Sequence, residues 1–141
     1  MREILFRGKR CDNGEWVQGF YVRADHHWHK NGIHKDWIAL GASANGGWFA
    51  LHNKYSVKAE TVGQFTGLTD KKGKKIFEGD RCRVSRPCVL AYGKITFQNG
   101  CFWFVDDGPG GMLRLCDVKM NGFEIEVIGN IHDNPELLET P

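Results

Sequence analysis

At 141 residues and a net charge of +2, the chain can bury one core or two small lobes sharing one, and charge alone gives no case for nucleic-acid binding. Five tryptophans and nine phenylalanines make a packed core attainable, while eighteen glycines against four prolines point to many tight turns in place of a disordered linker. The opening MREILFRGKR sets arginines on both sides of a very short apolar run, so no secretory signal is expected, and no apolar run approaches the length of a membrane span.

In chain order, residues 3–22 read as a β-hairpin about Asn13-Gly14, a dipeptide suited to a two-residue turn whose central positions both need positive φ. That turn sets Cys11 opposite Trp16, Lys9 opposite Gln18 and Phe6 opposite Tyr21. Trp16, Gln18 and Phe20 then share one face and Val17 and Tyr21 the other, so packing on two sides is expected. Gly19 marks a bulge or a close backbone contact. From Arg23 to Gly47 the periodicity dissolves. This segment, with four of the six histidines and two tryptophans, reads as an excursion from the sheet, mobile around Ala42 to Gly47. Trp48 to Leu51 and Tyr55 to Val57 read as short strands.

The central stretch, Val62 to Val84, is the most informative. A short apolar run ends in Asp70-Lys71-Lys72-Gly73, a reverse turn kept solvated by Lys71, Lys72, Lys74 and Lys75. Ile76 to Val84 follows, broken once at Glu78-Gly79-Asp80. In Arg81-Cys82-Arg83-Val84 the period is two, which puts Cys82 and Val84 on one face and both arginines on the other. The pattern suits the entry to a small, strongly bent barrel.

Arg86-Pro87 ends or edges a strand. Lys94 to Val105 is a second hairpin, about Asn99-Gly100, with Phe97 opposite Phe102, Ile95 opposite Phe104 and Thr96 opposite Trp103. Asp107 to Gly111 reads as a loop and Leu113 to Val118 as another strand. Phe123 to Ile128 alternates, with Phe123, Ile125 and Val127 inward. Asn134-Pro135 offers an N-cap and a first helical residue for a short closing helix. Eight or nine short strands and little helix make an all-β protein with barrel-like closure.

Chemistry is sparse. His26, His27, His29 and His34 crowd together, yet no cysteine or carboxylate stands at a familiar ligand spacing, and a polar loop accounts for them. The five cysteines, Cys11, Cys82, Cys88, Cys101 and Cys116, include no CxxC pair, so free thiols in a reducing compartment are expected ahead of a metal site. Ser43, Ser56 and Ser85 lack a nucleophile signature. Asp106-Asp107 precedes a glycine-rich loop where turn chemistry explains it, and Glu78 and Asp80 sit where a barrel needs a turn. Gly108 to Gly111 lacks the lysine and helix start of a phosphate loop. No cofactor or metal is expected, and no enzyme, because no constellation fills the geometric roles of catalysis. Two binding readings remain. Lys71, Lys72, Lys74, Lys75, Arg81, Arg83 and a surface Trp103 make a candidate nucleic-acid or partner surface, on which small barrels stack bases within a basic groove; a solvated hairpin tip diluted by Asp70, Glu78 and Asp80 explains the same residues. Surplus aromatics and open strand edges suit a protein partner or self-association, although tryptophans packed between lobes would serve equally.

Three blocks, REILFRGKRCDNGEW (Arg2–Trp16), TVGQFTGLTDKKGKKIFEGD (Thr61–Asp80) and EVIGNIHDNPELL (Glu126–Leu138), together resemble the YopX family of phage and prophage proteins. They lie in the family's order and bracket nearly the whole chain; Asp25 to Trp48 matches no family pattern. The resemblance implies a β-rich protein whose C-terminal half is an SH3-like barrel, from a phage or prophage gene of unknown biochemical role. After Glu78-Gly79-Asp80 the family usually carries two aliphatic residues, whereas this chain has Arg81-Cys82, so Arg81 must reach solvent or find a partner. The expected organisation is an N-terminal β-hairpin lobe over residues 1–60, with a variable insertion near 24–47, packed on an SH3-like barrel with a short C-terminal helix over 61–141. The expected protein is a non-enzymatic accessory or interaction module of the bacterial host's cytoplasm, with nucleic-acid binding as the alternative and no membrane role.

Overall fold

A computed structural model describes residues 1–25, 34–45 and 48–133. The chain is nearly all antiparallel β-structure and divides into two compact units, Met1–Gln64 and Phe65–Pro141.

The first unit contains β1 (Phe6–Lys9), β2 (Trp16–Asp25), β3 (His34–Asn45), β4 (Trp48–Val57), a 3-10 turn at Ala59–Thr61 and the first two residues of β5 (Gly63–Thr69). Its strands lie side by side in the order β4-β3-β2-β1-β5. The sheet curls until the end of β4 meets the end of β1: Arg10 bridges Val57, the Cys11 N–H donates to the Ser56 carbonyl, and the Lys58 N–H donates to that of Lys9. Glycine makes this curvature possible where backbones crowd. A Cβ on Gly19 would stand 2.3 Å from the Ala39 carbonyl oxygen, the close backbone contact expected there. Ile38, Ala39 and Val57 form the buried apolar centre. Beside it the Tyr21 hydroxyl donates to the buried carboxylate of Asp36, and burial followed by that neighbour raises the Tyr21 pKa.

Three expectations fail in this unit. The first hairpin closes in a different register, with Lys9 opposite Trp16, Arg7 opposite Gln18 and Phe6 opposite Gly19. Only Gly14 takes positive φ, and the Asn13 side chain instead accepts the Glu15 N–H, so the loop is two residues longer than a tight turn. Packing on two sides is not realised at Phe20, which remains 56% exposed. The supposed excursion from the sheet is mostly sheet. β2 runs on to Asp25, β3 occupies 34–45, and β4 joins the two short strands expected between Trp48 and Val57. Its signal was Gly46-Gly47, a hairpin dipeptide between strand-compatible flanks. His26, His27 and His29 lie outside the described residues, as do the side chain of His34 and the closing helix expected from Pro135.

The second unit takes the rest of β5 with β6 (Lys75–Phe77), then β7 (Asp80–Arg86), β8 (Val89–Gln98), β9 (Cys101–Asp106), β10 (Met112–Arg114), the helix α1 (Leu115–Met120) and β11 (Glu124–Asn130). Five strands form one sheet in the order β10-β9-β8-β7-β11. The hairpin about Asn99-Gly100 has the expected pairs, Phe97 with Phe102, Ile95 with Phe104 and Thr96 with Trp103, and both turn residues take positive φ. Ile76, Cys82, Val84, Ile95, Phe104, Leu115, Val118 and Ile125 form the core. The strand expected at Leu113–Val118 is a correction: it stops at Arg114, and α1 follows. Leu115 and Val118 recur at helical spacing and are both buried, which a period of two would forbid.

The Asp70 turn closes the far edge of this sheet. Asp70 Oδ1 accepts the N–H groups of Lys72 and Lys74, each at 2.9 Å, and Oδ2 accepts the Val127 N–H at 3.0 Å. The Lys71 N–H donates to the Ile125 carbonyl at 2.9 Å. The turn thus satisfies backbone groups on the side of β11 away from β7, groups that an open edge would leave unpaired. Burial pushes the Asp70 carboxyl upward, but the three backbone donors outweigh it and hold the pKa below its ordinary value.

In Asp70→Asn the amide oxygen still serves the turn, but the amide nitrogen meets the Val127 N–H donor to donor. The substitution is expected to cost about 2 kcal/mol at pH 7. Because the folded pKa lies below the unfolded one, the wild-type advantage is complete above the unfolded value of 3.8 and disappears as pH falls through the folded value. Urea unfolding of both proteins between pH 7 and pH 2 checks this; a gap independent of pH would refute the role given to the carboxylate.

Candidate functional site

The two faces of the five-stranded sheet follow from its register. Cys82, Val84, Ile95, Phe104 and Ile125 point into the core. The residues between them share the outer face. Across the strands this face carries Glu126, Arg83 and Tyr92 in one band, Arg81, Lys94, Val105 and Met112 in a second, and Thr96, Trp103 and Arg114 in a third.

The structure divides the candidate surface residues. Lys71, Lys72 and Arg83 come together about one carboxylate: Glu126 receives Arg83 Nη2 at 2.5 Å, Lys72 Nζ at 2.8 Å and Lys71 Nζ at 3.6 Å. The hydrogen bond from Lys72 and the charges of all three cations hold the Glu126 pKa below its ordinary value, and Glu126 in turn raises that of Lys72. Lys74 stays exposed on the turn, and Lys75 lies over the Phe65 ring at 5.3 Å. Arg81 does not belong to an open surface. It is 1% exposed and meets Asp107 through both terminal nitrogens, Nη1 to Oδ1 at 2.7 Å and Nη2 to Oδ2. The Asp107 hydrogen bond raises its pKa against the opposing effect of burial. This is the partner that the position required. Trp103 is half-buried, and its indole N–H donates to the Gln98 carbonyl at 2.9 Å.

Most positive charge on this face is therefore answered within the unit. Arg83 meets Glu126, Arg81 meets Asp107, and Arg114 meets Asp117 at 2.8 Å. Apolar surface is left open: Leu90 is 60% exposed, Tyr92 43% and Met112 41%. Sequence reasoning missed Leu90 and Tyr92 because it began the second hairpin at Lys94, and Met112 because it began the next strand at Leu113. Leu90 and Tyr92 continue the alternation of Lys94 and Thr96 back along β8, and that alternation was the available signal. The paired carboxylates expected to serve a turn do so only in part. Asp106 accepts the N–H groups of Gly108 and Gly110, both at 3.0 Å, while Asp107 turns to Arg81. Among the described residues no helix is long and apolar enough to cross a membrane.

A family described as YopX protein matches residues 5–139 of the chain. Among solved structures, protein EF1440 from Enterococcus faecalis is similar at 24% identity and a TM-score of 0.62, over 99% of this chain and 100% of that one. At this identity the likeness speaks for the fold alone. No curated protein matches.

Removing one member of a buried ion pair leaves the other charge uncompensated, so Asp107→Ala is expected to lose about 3 kcal/mol. The double variant Arg81→Met with Asp107→Ala, which removes both charges, should recover most of that loss. Chemical unfolding of the two single variants and the double variant measures the coupling; additive effects would contradict the assigned pairing.

Proposed function

The chain belongs to the YopX protein family, and from that premise we propose that it is a non-enzymatic phage or prophage accessory protein, an interaction module that binds a protein partner through the outer face of the C-terminal sheet. In this reading the C-terminal unit is an SH3-like roll of short, bent antiparallel strands, and the site of action is the bacterial cytoplasm, a setting that five free thiols suit. The observation that carries the proposal is the coincidence on one face of open apolar side chains, Leu90, Tyr92 and Met112, with cations already paired to carboxylates. Tyrosine and methionine are favoured at protein interfaces because they contribute large contact area at modest desolvation cost. A phosphate backbone would have to displace Glu126 from Arg83, Lys71 and Lys72 before it gained their charge, which counts against nucleic acid as the ligand.

Leu90→Lys combined with Tyr92→Ser is expected to abolish capture of a host protein by the immobilised chain while leaving its thermal midpoint within a few degrees. Fluorescence anisotropy with single-stranded oligonucleotides at low salt forms the second arm. Binding there that falls steeply with salt and disappears in Lys72→Glu with Lys74→Glu would replace the protein-partner reading with the nucleic-acid one.

A further inference from the structure

The ladder between β9 and β10 has a register that reaches beyond the last residue of β10. Met112 pairs with Val105, Leu113 with Phe104 and Arg114 with Trp103. Continued by two residues, the same register sets Cys116 opposite Cys101. The Asp106 N–H donates to the Gly111 carbonyl at 2.9 Å, which makes that pair a hydrogen-bonded one. Alternation then makes Val105–Met112, Trp103–Arg114 and the Cys101–Cys116 position non-hydrogen-bonded pairs. At such positions facing Cα atoms stand about 4.5 Å apart, inside the range that a disulfide spans.

In the structure both thiols are free, with Cys116 exposed and Cys101 partly so. α1 begins at Leu115, one residue before the position that would face Cys101. Both thiols lie within the electrostatic reach of the Arg114 guanidinium. The other two cysteines of this unit are poorly placed to compete. Cys82 is completely buried, and Cys88 sits at the far end of β8 from Cys101. The ten residues of that strand span about 30 Å.

The segment Leu113-Arg114-Leu115-Cys116 is compatible with either backbone form. As helix, Leu115 is 1% exposed in the core. As strand, it would lie opposite Phe102, on the same face of the ladder as Leu113 and Phe104. The helix is six residues long and Arg114 at its N-cap makes no side-chain cap hydrogen bond, so its first turn is held by the Arg114–Asp117 pair and by burial of Leu115.

We propose that Cys101 and Cys116 form a thiol–disulfide switch that, on oxidation, draws Leu115 and Cys116 into β10 and unwinds the first turn of α1. The proposal stands on the ladder geometry and is independent of the partner reading. The oxidant is a small disulfide of the glutathione class. The Cys116 thiolate attacks one of its sulfurs, giving a mixed disulfide and releasing one glutathione thiolate. The Cys101 thiolate then attacks the Cys116 sulfur and expels the second. Two protein thiols become one Sγ–Sγ bond, and the oxidant is reduced to two thiols, which carry off both protons. The switch acts next to the outer face, because Arg114 is drawn away from Asp117 when the turn unwinds.

The full chain carrying Cys11→Ser and Cys88→Ser, equilibrated in oxidised and reduced glutathione, tests this. The expected result is a proteolytic peptide pair linked through Cys101 and Cys116, with both thiols lost to alkylation and Cys82 still protected. Helical signal in the far-ultraviolet should fall on oxidation and return with reductant. Adding Cys116→Ser should eliminate the linked pair. Persistence of both free thiols, accumulation of unresolved glutathione adducts, or a bridge that forms only when Cys82 also becomes reactive would each overturn the switch.

Discussion

The carboxylate of Asp70 is the constraint on which the C-terminal unit depends. One oxygen shapes the turn between β5 and β6 through Lys72 and Lys74, and the other reaches Val127, 57 positions along the chain. A sheet of five strands has two edges, and each edge presents backbone groups that seek partners. Here one edge is the three-residue β10, and the other, β11, is met by a turn in place of a sixth strand. Local and distant structure are thereby tied at a single side chain. The same turn also holds Lys71 and Lys72 above Glu126, so the electrostatic arrangement of the outer face is a by-product of the way that edge is closed.

How far the fold could be read depended on whether local chemistry had a competitor. Asn99-Gly100 and Asn13-Gly14 are the same dipeptide with different outcomes. At the first, both residues take positive φ and every predicted pair forms. At the second, the Asn13 side chain captures the Glu15 N–H and the turn widens, which moves the register by two residues and keeps the faces. A shift of two preserves the alternation of side chains, so the residues expected to share a face still do, although the packing expected on both sides is not realised at Phe20. Leu113 to Val118 failed for another reason. Leu113 and Leu115 satisfy a period of two, while Leu115 and Val118 satisfy a helical one, and burial of Val118 decided between them.

The candidate surface was legible as a set of cations and illegible as an electrostatic environment. Lysines and arginines are visible in any sequence, but the carboxylates that answer them are not local. Asp107 lies 26 positions from Arg81, and Glu126 lies 43 from Arg83. Only the registers of β7 with β8 and β11, and of β8 with β9, bring them together. What is left for a ligand is therefore better judged from the apolar residues of the outer face than from its charge. Those residues lie on β8 and β10, where a sequence offers alternation and little else.

The hairpin of β3 and β4 distributes the N-terminal unit's resistance to opening unevenly. β2 pairs β3 only as far as Ala39, and from Gly41 to Asn45 β4 is its one pairing strand among the described residues. Hydrogen bonds in a two-stranded ribbon can break without disturbing a third strand or the buried cluster of Ile38, Ala39 and Val57. Amide protons should thus exchange along a gradient, fast toward Asn45 and slow toward Asp36. An insertion or a peptide tag placed near the ribbon's outer end would leave the rest of the unit's cooperative unfolding untouched.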